Sequence, residues 1–271
     1  MTRISLILLL FLAAVPGWSY ADQYQGAELI ERYQQALQQQ QDALRNMSME
    51  VHMEGSIPKL KKQGKMSALR MISSLGKVTY KVVGFWGDDT VKKEVMARFM
   101  TAEVEAAQNQ VKESEIKAAL ERVPEDKDRK DKDSKDKDSK DKDSRTIGIT
   151  PQNYEFKYKG LNNRDGREVH IFELKPRHKR IGLFKGELWL DPETCLPVQE
   201  SGRLVKNPSV FVKKMEFVRR YEIKDGIAYL KRMESRTETR IVGRADLSIE
   251  YVNFAKHTDP PAEPVAKLGS R

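Results

Sequence analysis

Residues 131–144, "DKDSKDKDSKDKDS", place Asp131, Asp133 and Asp136 at short spacing, and clustered carboxylates are what Ca²⁺ takes. A Ca²⁺ loop of that kind also needs Gly at its sixth position and a bidentate Glu at its twelfth. Counting from Asp131, those positions hold Asp136 and Lys142. The four histidines, His52, His170, His178 and His257, form neither HExxH nor a Cys/His cluster, so no metal is expected. Cys195, the only cysteine, sits between "DPET" and "LP" and reads as an inert turn thiol; a chain with one cysteine makes no internal disulfide. GxSxG, a phosphate loop and a dinucleotide fingerprint are all absent. The expectation is a protein without catalytic residues, metal or cofactor.

Charge is more informative. The segment 125–145 holds nine acidic and nine basic residues and no apolar one, so nothing in it repays the entropy of ordering. It reads as a disordered insertion over 123–147. The chain's +9 therefore lies elsewhere, and from Lys175 to Arg236 there are 15 Lys/Arg against 8 Asp/Glu. "KPRHKR" and the pairs after Phe211 are the densest points. Lys175, Arg177, Lys179, Arg180, Lys213, Lys214, Arg219 and Arg220 are the residues expected to face an anion or a partner, with an ordinary solvated strand face as the plain alternative. Lys213 and Arg219 share the parity of Phe211, Met215 and Phe217, so strict alternation turns them inward unless a bulge intervenes. Nucleic acid is not expected for an exported chain.

Export is read from the first residues. Arg3, an apolar run from Ile4 to Val15 and Ser19-Tyr20-Ala21 make a signal peptide over 1–21, cleaved after Ala21 into the periplasm. The mature chain, 22–256, reads as one domain, and 257–271 as a disordered Pro-rich tail.

Within the domain, Leu29, Tyr33, Ala36, Leu37, Leu44 and Met47 recur at helical spacing, predicting an amphipathic helix over 24–47. The period then becomes two. Met49, Val51, Met53 and Ile57 alternate, "GKVTYKVVGFWG" is β-rich, and a second helix is expected over about 101–122 after an ambiguous stretch from 91. In the second half, Tyr154, Phe156 and Tyr158 share a face. Asp-Gly pairs mark turns, Phe211, Met215, Phe217, Tyr221 and Ile223 share a second face, and Ile241, Ala245, Leu247, Ile249 and Tyr251 a third. Such strands make a mainly β, α+β antiparallel meander with one wet face.

On "GELWLDPETCLPV" and "GKVTYKVVGFWGDDTVKKEV", the chain resembles the outer-membrane lipoprotein-sorting (LolA-like) family across roughly 28–256. The resemblance implies an unclosed, curved antiparallel β-barrel, a half-barrel, with the N-terminal amphipathic helix and a second helix covering the open side. It also implies transport or chaperoning of a lipid or lipoprotein acyl chain in the concave face. The cavity residues expected are Phe156, Tyr158, Leu188, Leu190, Phe217, Tyr221, Tyr229, Leu247, Ile249 and Tyr251. The family's Arg-bearing early strand has no clear match; "KMSALRMISS", with Arg70, is a loose candidate. The alternative function is a non-carrier module docking its basic C-terminal sheet on an envelope protein or an anionic membrane surface. An open apolar cavity under helix 24–47 would favour the carrier, and a filled interior the module.

Overall fold

The computed structural model describes residues 20–121 and 147–257. The expected leader up to residue 19, almost all of the 123–147 insertion and the tail after His257 lie outside them. A helix, α1 (Tyr20–Ala43), precedes β1 (Met47–Ile57), β2 (Lys62–Ile72) and β3 (Val78–Gly87). A continuous helical run follows: α2 (Asp89–Val91), a π-helical segment (Lys92–Ala97) and α3 (Arg98–Glu121). Seven strands complete the chain: β4 (Tyr154–Arg164), β5 (Arg167–Pro176), β6 (Phe184–Leu190), β7 (Pro197–Leu204), β8 (Val212–Lys224), β9 (Ile227–Thr239) and β10 (Arg244–Lys256).

All ten strands form one antiparallel sheet in the order β3-β2-β1-β10-β9-β8-β7-β6-β5-β4, with β3 and β4 as free edges. This is the unclosed, curved half-barrel that the resemblance implied. Its curvature has local causes. Register shifts interrupt five of the nine strand pairs, and each bulge bends its strand. The pairing also sets five glycines in one inward row, Gly186 beside Gly202 at one side and Gly55, Gly64 and Gly87 at the other. A Cβ on Gly186 would lie 1.9 Å from the Ser201 carbonyl oxygen, and one on Gly55 would lie 2.9 Å from Val91, so the row admits both a tight strand pair and a close helix. The Asp165-Gly166 and Asp225-Gly226 turns have positive φ at both residues, the twist that two-residue hairpins need.

The core lies between the sheet's inner face and the helices. The next inward row crosses every strand: Tyr158, Phe172, Leu188, Glu200, Arg219, Met233, Ile249, Met53, Met66 and Phe85 are successive cross-strand partners. From α1, Leu29 and Tyr33 bury against it, with Gly26 allowing close approach to Tyr158. Gln40 then ties the helix to β9 like a strand neighbour, donating to the Ala228 carbonyl at 2.6 Å and accepting from its amide at 3.0 Å.

Some expectations need correction. The first helix ends at Ala43, because Asn46 takes a left-handed conformation and Met47 already alternates as a strand residue. The stretch from 91 is helical throughout; Asp88 caps it by accepting from the Thr90 amide. Phe211 and Ile241, placed on apolar faces by alternation, stand 51% and 67% exposed, since β8 begins at Val212 and β10 at Arg244.

The face assignment of β10 makes a simple prediction. Leu247 is buried and Ser248 faces outward, so Leu247→Arg is expected to cost about 3 kcal/mol or more, and Ser248→Arg within about 0.5 kcal/mol. Equal urea midpoints for the two variants would contradict the register.

Candidate functional site

The expected cavity residues are mostly brought together. Leu188, Leu190 and Ile249 are fully buried, Phe217, Leu247 and Tyr251 nearly so, and Phe156 and Tyr158 pack on Phe172. Tyr229 departs from them. The register shift that skips Lys231 pairs Tyr229 with exposed Glu222 and stacks it on Phe254, turning it off the row. Under α1 the interior is filled by Tyr33, Tyr154, Phe172, Leu188 and Leu190. Two described hollows, of about 900 and about 800 Å³, lie elsewhere: one is lined by outward Glu54, Lys65 and Glu234 and by Gly55, Gly64, Phe217 and Leu247 of the glycine row, the other by Lys175, Lys185 and Arg203.

Two polar clusters interrupt the apolar inner face. In the first, Glu200 and Arg219 are cross-strand partners 3.1 Å apart, midway along the row. β8 keeps strict alternation here, so Arg219 points inward, away from the basic surface set, and the bulge falls at exposed Lys213 instead. The Glu200 side chain is 9% exposed and that of Arg219 37%. Burial opposes the guanidinium's charge, but Glu200 and Tyr221 outweigh it and hold the proton more firmly than usual. Burial, followed by Glu200, pushes the Tyr33 and Tyr221 phenols well above their ordinary range. Arg219 thus lies in the floor with part of its surface still reachable.

The second cluster joins a helix to the sheet. Arg70 of β2 donates through Nε and Nη2 to one oxygen of Glu103 on α3, at 3.0 and 2.6 Å, and the Tyr80 hydroxyl donates to the other. The side chains of Arg70 and Glu103 are 13% and 26% exposed. Around them the interior is rich in methionine: Met47, Met49, Met53, Met66 and Met96 are buried, and Met100 packs against them. Single-residue patterning found Met49 and Met53 but could not find this cluster, because Glu103 meets Arg70 only when the helix lies across the sheet.

The remaining predicted residues are surface groups or turns. Lys175 and Arg177 face Glu155, Lys214 pairs with Glu216 and Arg220 with Glu234. Arg180 reaches Asn153, and Lys179 is exposed. Cys195 is fully buried in a left-handed turn, where burial raises its thiol pKa and disfavours the reactive thiolate. Among the described residues no group of His, Cys, Asp and Glu is placed to hold a metal ion, and no helix is long and apolar enough to cross a membrane.

No family model and no curated protein matches the sequence. Three solved structures align over most of the chain. A DUF1329 family protein from Desulfovibrio piger is 14% identical, with 88% of this chain and 94% of that one covered and a TM-score of 0.40. A LolA superfamily protein from Nitrosomonas europaea is 10% identical, with 87% and 94% covered and a TM-score of 0.33. A domain described as an outer membrane lipoprotein-sorting protein from Vibrio parahaemolyticus is 11% identical, with 88% and 95% covered and a TM-score of 0.39.

Two predictions test the polar groups. Arg70→Met is expected to cost about 2–4 kcal/mol by leaving Glu103 unpaired, while Arg70→Met/Glu103→Leu recovers most of that loss. Strictly additive unfolding energies would show that the pair does not interact. His170, nearly buried and bonded to the Tyr158 hydroxyl, has its pKa lowered by burial and then by Arg32. The unfolded chain therefore binds this proton more readily, so His170 removes stability as pH falls below about 6.5. His170→Gln is expected to flatten that acid limb of a stability–pH curve; an unchanged limb would assign it to other groups.

Proposed function

We propose that the protein is an exported, non-enzymatic carrier that holds an amphipathic ligand, such as a lipid or lipoprotein acyl chain, on the inner face of the half-barrel. The observation that carries this reading is the combination of a methionine-rich interior with a helix tied over it by a discrete ion pair. Methionine has flexible, polarisable side chains that refill irregular space, so such an interior can take up and release a chain without a fixed cavity. In the closed arrangement the interior is filled. Release of Glu103 from Arg70 and Tyr80 would let α3 lift from β3 and bare the sheet around Met49, on which Arg70 also rests.

The ligand's polar end has a counterpart too. Arg219, held charged inside the apolar row, offers a donor to an ester, carboxyl or phosphate oxygen, with Glu200 fixing its direction. The aromatic residues Phe156, Tyr158, Phe217, Tyr221 and Tyr251 flank the path to it. The filled interior under α1 is the outcome expected of the alternative, a non-carrier envelope module; the methionine lining and the helix clasp are what favour carriage.

An environment-sensitive fatty-acid probe is expected to bind the mature protein saturably, at least fivefold faster to Arg70→Met, and to be released when Tyr221 or Ile249 becomes Asp in a sample that stays folded. Absence of saturable binding in both folded wild type and folded Arg70→Met would overturn the carrier reading.

A further inference from the structure

The alternation of the sheet sends its connecting loops to two opposite rims. One rim carries the loops 58–61, 177–183, 205–211 and 240–243. The four loops hold seven Lys/Arg (Lys59, Lys61, Arg177, Lys179, Arg180, Lys206 and Arg240) and no Asp or Glu; among the described residues the acids at this rim, Asp88 and Asp89, follow β3, and Asp88 pairs with Lys62. The sheet-joining loops of the other rim, 73–77, 165–166, 191–196 and 225–226, hold Asp165, Asp191, Glu193 and Asp225 against the single cation Lys77. Net charge is therefore distributed along the strand direction, a feature invisible in the linear count.

The basic rim is also where large apolar side chains protrude. Val210 is 78% exposed, Ile241 67%, Phe211 and Ile181 51% each, and Leu60 41%. They are held out by structure. The Arg240 amide donates to the Phe211 carbonyl at 2.8 Å and its Nε to the Val210 carbonyl at 3.0 Å, which fixes the 205–211 loop against the 240–243 turn. The Lys59 side chain lies beside Gly243, bringing Leu60 to the same rim. Lys59, Lys61, Lys179 and Lys206 form no ion pair among the described residues.

We propose that this rim docks on an anionic lipid bilayer, with Val210, Phe211 and Ile241 entering the headgroup–acyl boundary and the surrounding cations facing lipid phosphates. Protruding apolar groups among cations, of which Lys59, Lys61, Lys179 and Lys206 have no ion pair among the described residues, match both layers of such a surface, whereas an acidic soluble partner offers nothing that requires the apolar tip. The proposal stands apart from the carrier reading, since it uses no inner-face residue.

Flotation of the full mature chain with vesicles tests it. Binding is expected to vesicles containing phosphatidylglycerol, to fall steeply between low and physiological salt, and to be weak on phosphatidylcholine alone. Lys179→Gln and Lys206→Gln should each weaken partitioning about fivefold. Val210→Ser/Phe211→Ser should weaken it at a salt concentration that screens the cations, and Phe211→Trp should shift its emission to the blue on binding and be quenched by brominated acyl chains. These surface variants leave the core untouched, so folding is secured by an unchanged urea midpoint. No binding to anionic vesicles at low salt, or an unquenched Phe211→Trp in bound protein, would overturn the proposal. So would binding indifferent to Val210→Ser/Phe211→Ser and matched by a soluble polyanion, which would assign the rim to an acidic macromolecule.

Discussion

The fold depends on covering one apolar face of a ten-stranded sheet that never closes. A closed barrel would satisfy its edges and hide its interior by itself, but here β3 and β4 remain apart and the inner rows would meet water. Two helical segments have to do the covering, and neither is strongly apolar. They succeed because the sheet curls toward them: the glycine row lets Val91 approach the backbone at Gly55, while Gly26 brings α1 onto Tyr158. Curvature, helix approach and core density thus share one cause, the absence of side chains where backbones must meet.

Against that background, the two inward ion pairs cannot be explained as sources of stability. Apolar residues of similar size at buried pairs are often as stable or more so, because desolvation offsets the Coulombic gain. The chain nevertheless keeps Glu200 and Arg219 in a row otherwise made of Tyr158, Phe172, Leu188, Met233, Ile249, Met53, Met66 and Phe85, and keeps Arg70 and Glu103 between sheet and helix. Residues that break a local rule without a stabilising return are where a function is expected to sit. Their geometry separates two tasks. Glu200 and Arg219 are anchored in the same sheet and stay together, whereas Arg70 and Glu103 belong to elements that can part.

Much of this was legible in the residues, and the limits are physical. Alternation at Met49–Ile57 and Ala245–Tyr251 gave the inner face, and Asp225-Gly226 gave a hairpin, because both signals are local. Parity likewise placed Arg219 inward while leaving a bulge as an equal explanation; only the pairing of β8 with β9 distinguishes Arg219, which faces in, from Lys213, which is the bulged residue. Tyr229 misled for the same reason, since one skipped residue on β9 reverses every face after it. Strand β2 was obscured by "KMSALRMISS", whose Arg70 and Ser residues dilute the β signal even though Met66 and Ala68 are buried. The charge separation between rims was out of reach altogether, because loops 58–61 and 240–243 become neighbours only through the β1–β10 pairing.

The helical run from Asp89 to Glu121 combines these constraints in one element. Its root is fixed: Asp88 caps the first turn and pairs with Lys62 at 3.2 Å, while Val91 and Met96 are fully buried against β1. The clasp at Glu103 lies 14 residues beyond Asp89, about 20 Å along a helix. Between root and clasp runs the π-helical segment Lys92–Ala97, whose wider hydrogen-bonding is less favourable than α geometry and locally easier to rearrange. Beyond the root the helix is held by the Glu103 carboxylate and, further out, by Val111, buried beside Gly76 of the β2–β3 turn. The apolar surface beneath this run is the methionine side of the floor, while α1, clamped by Gln40 and packed through Tyr33, covers the aromatic side. Under the carrier proposal, lifting this run would bare only that half of the interior and leave the remaining core to hold the sheet's curvature.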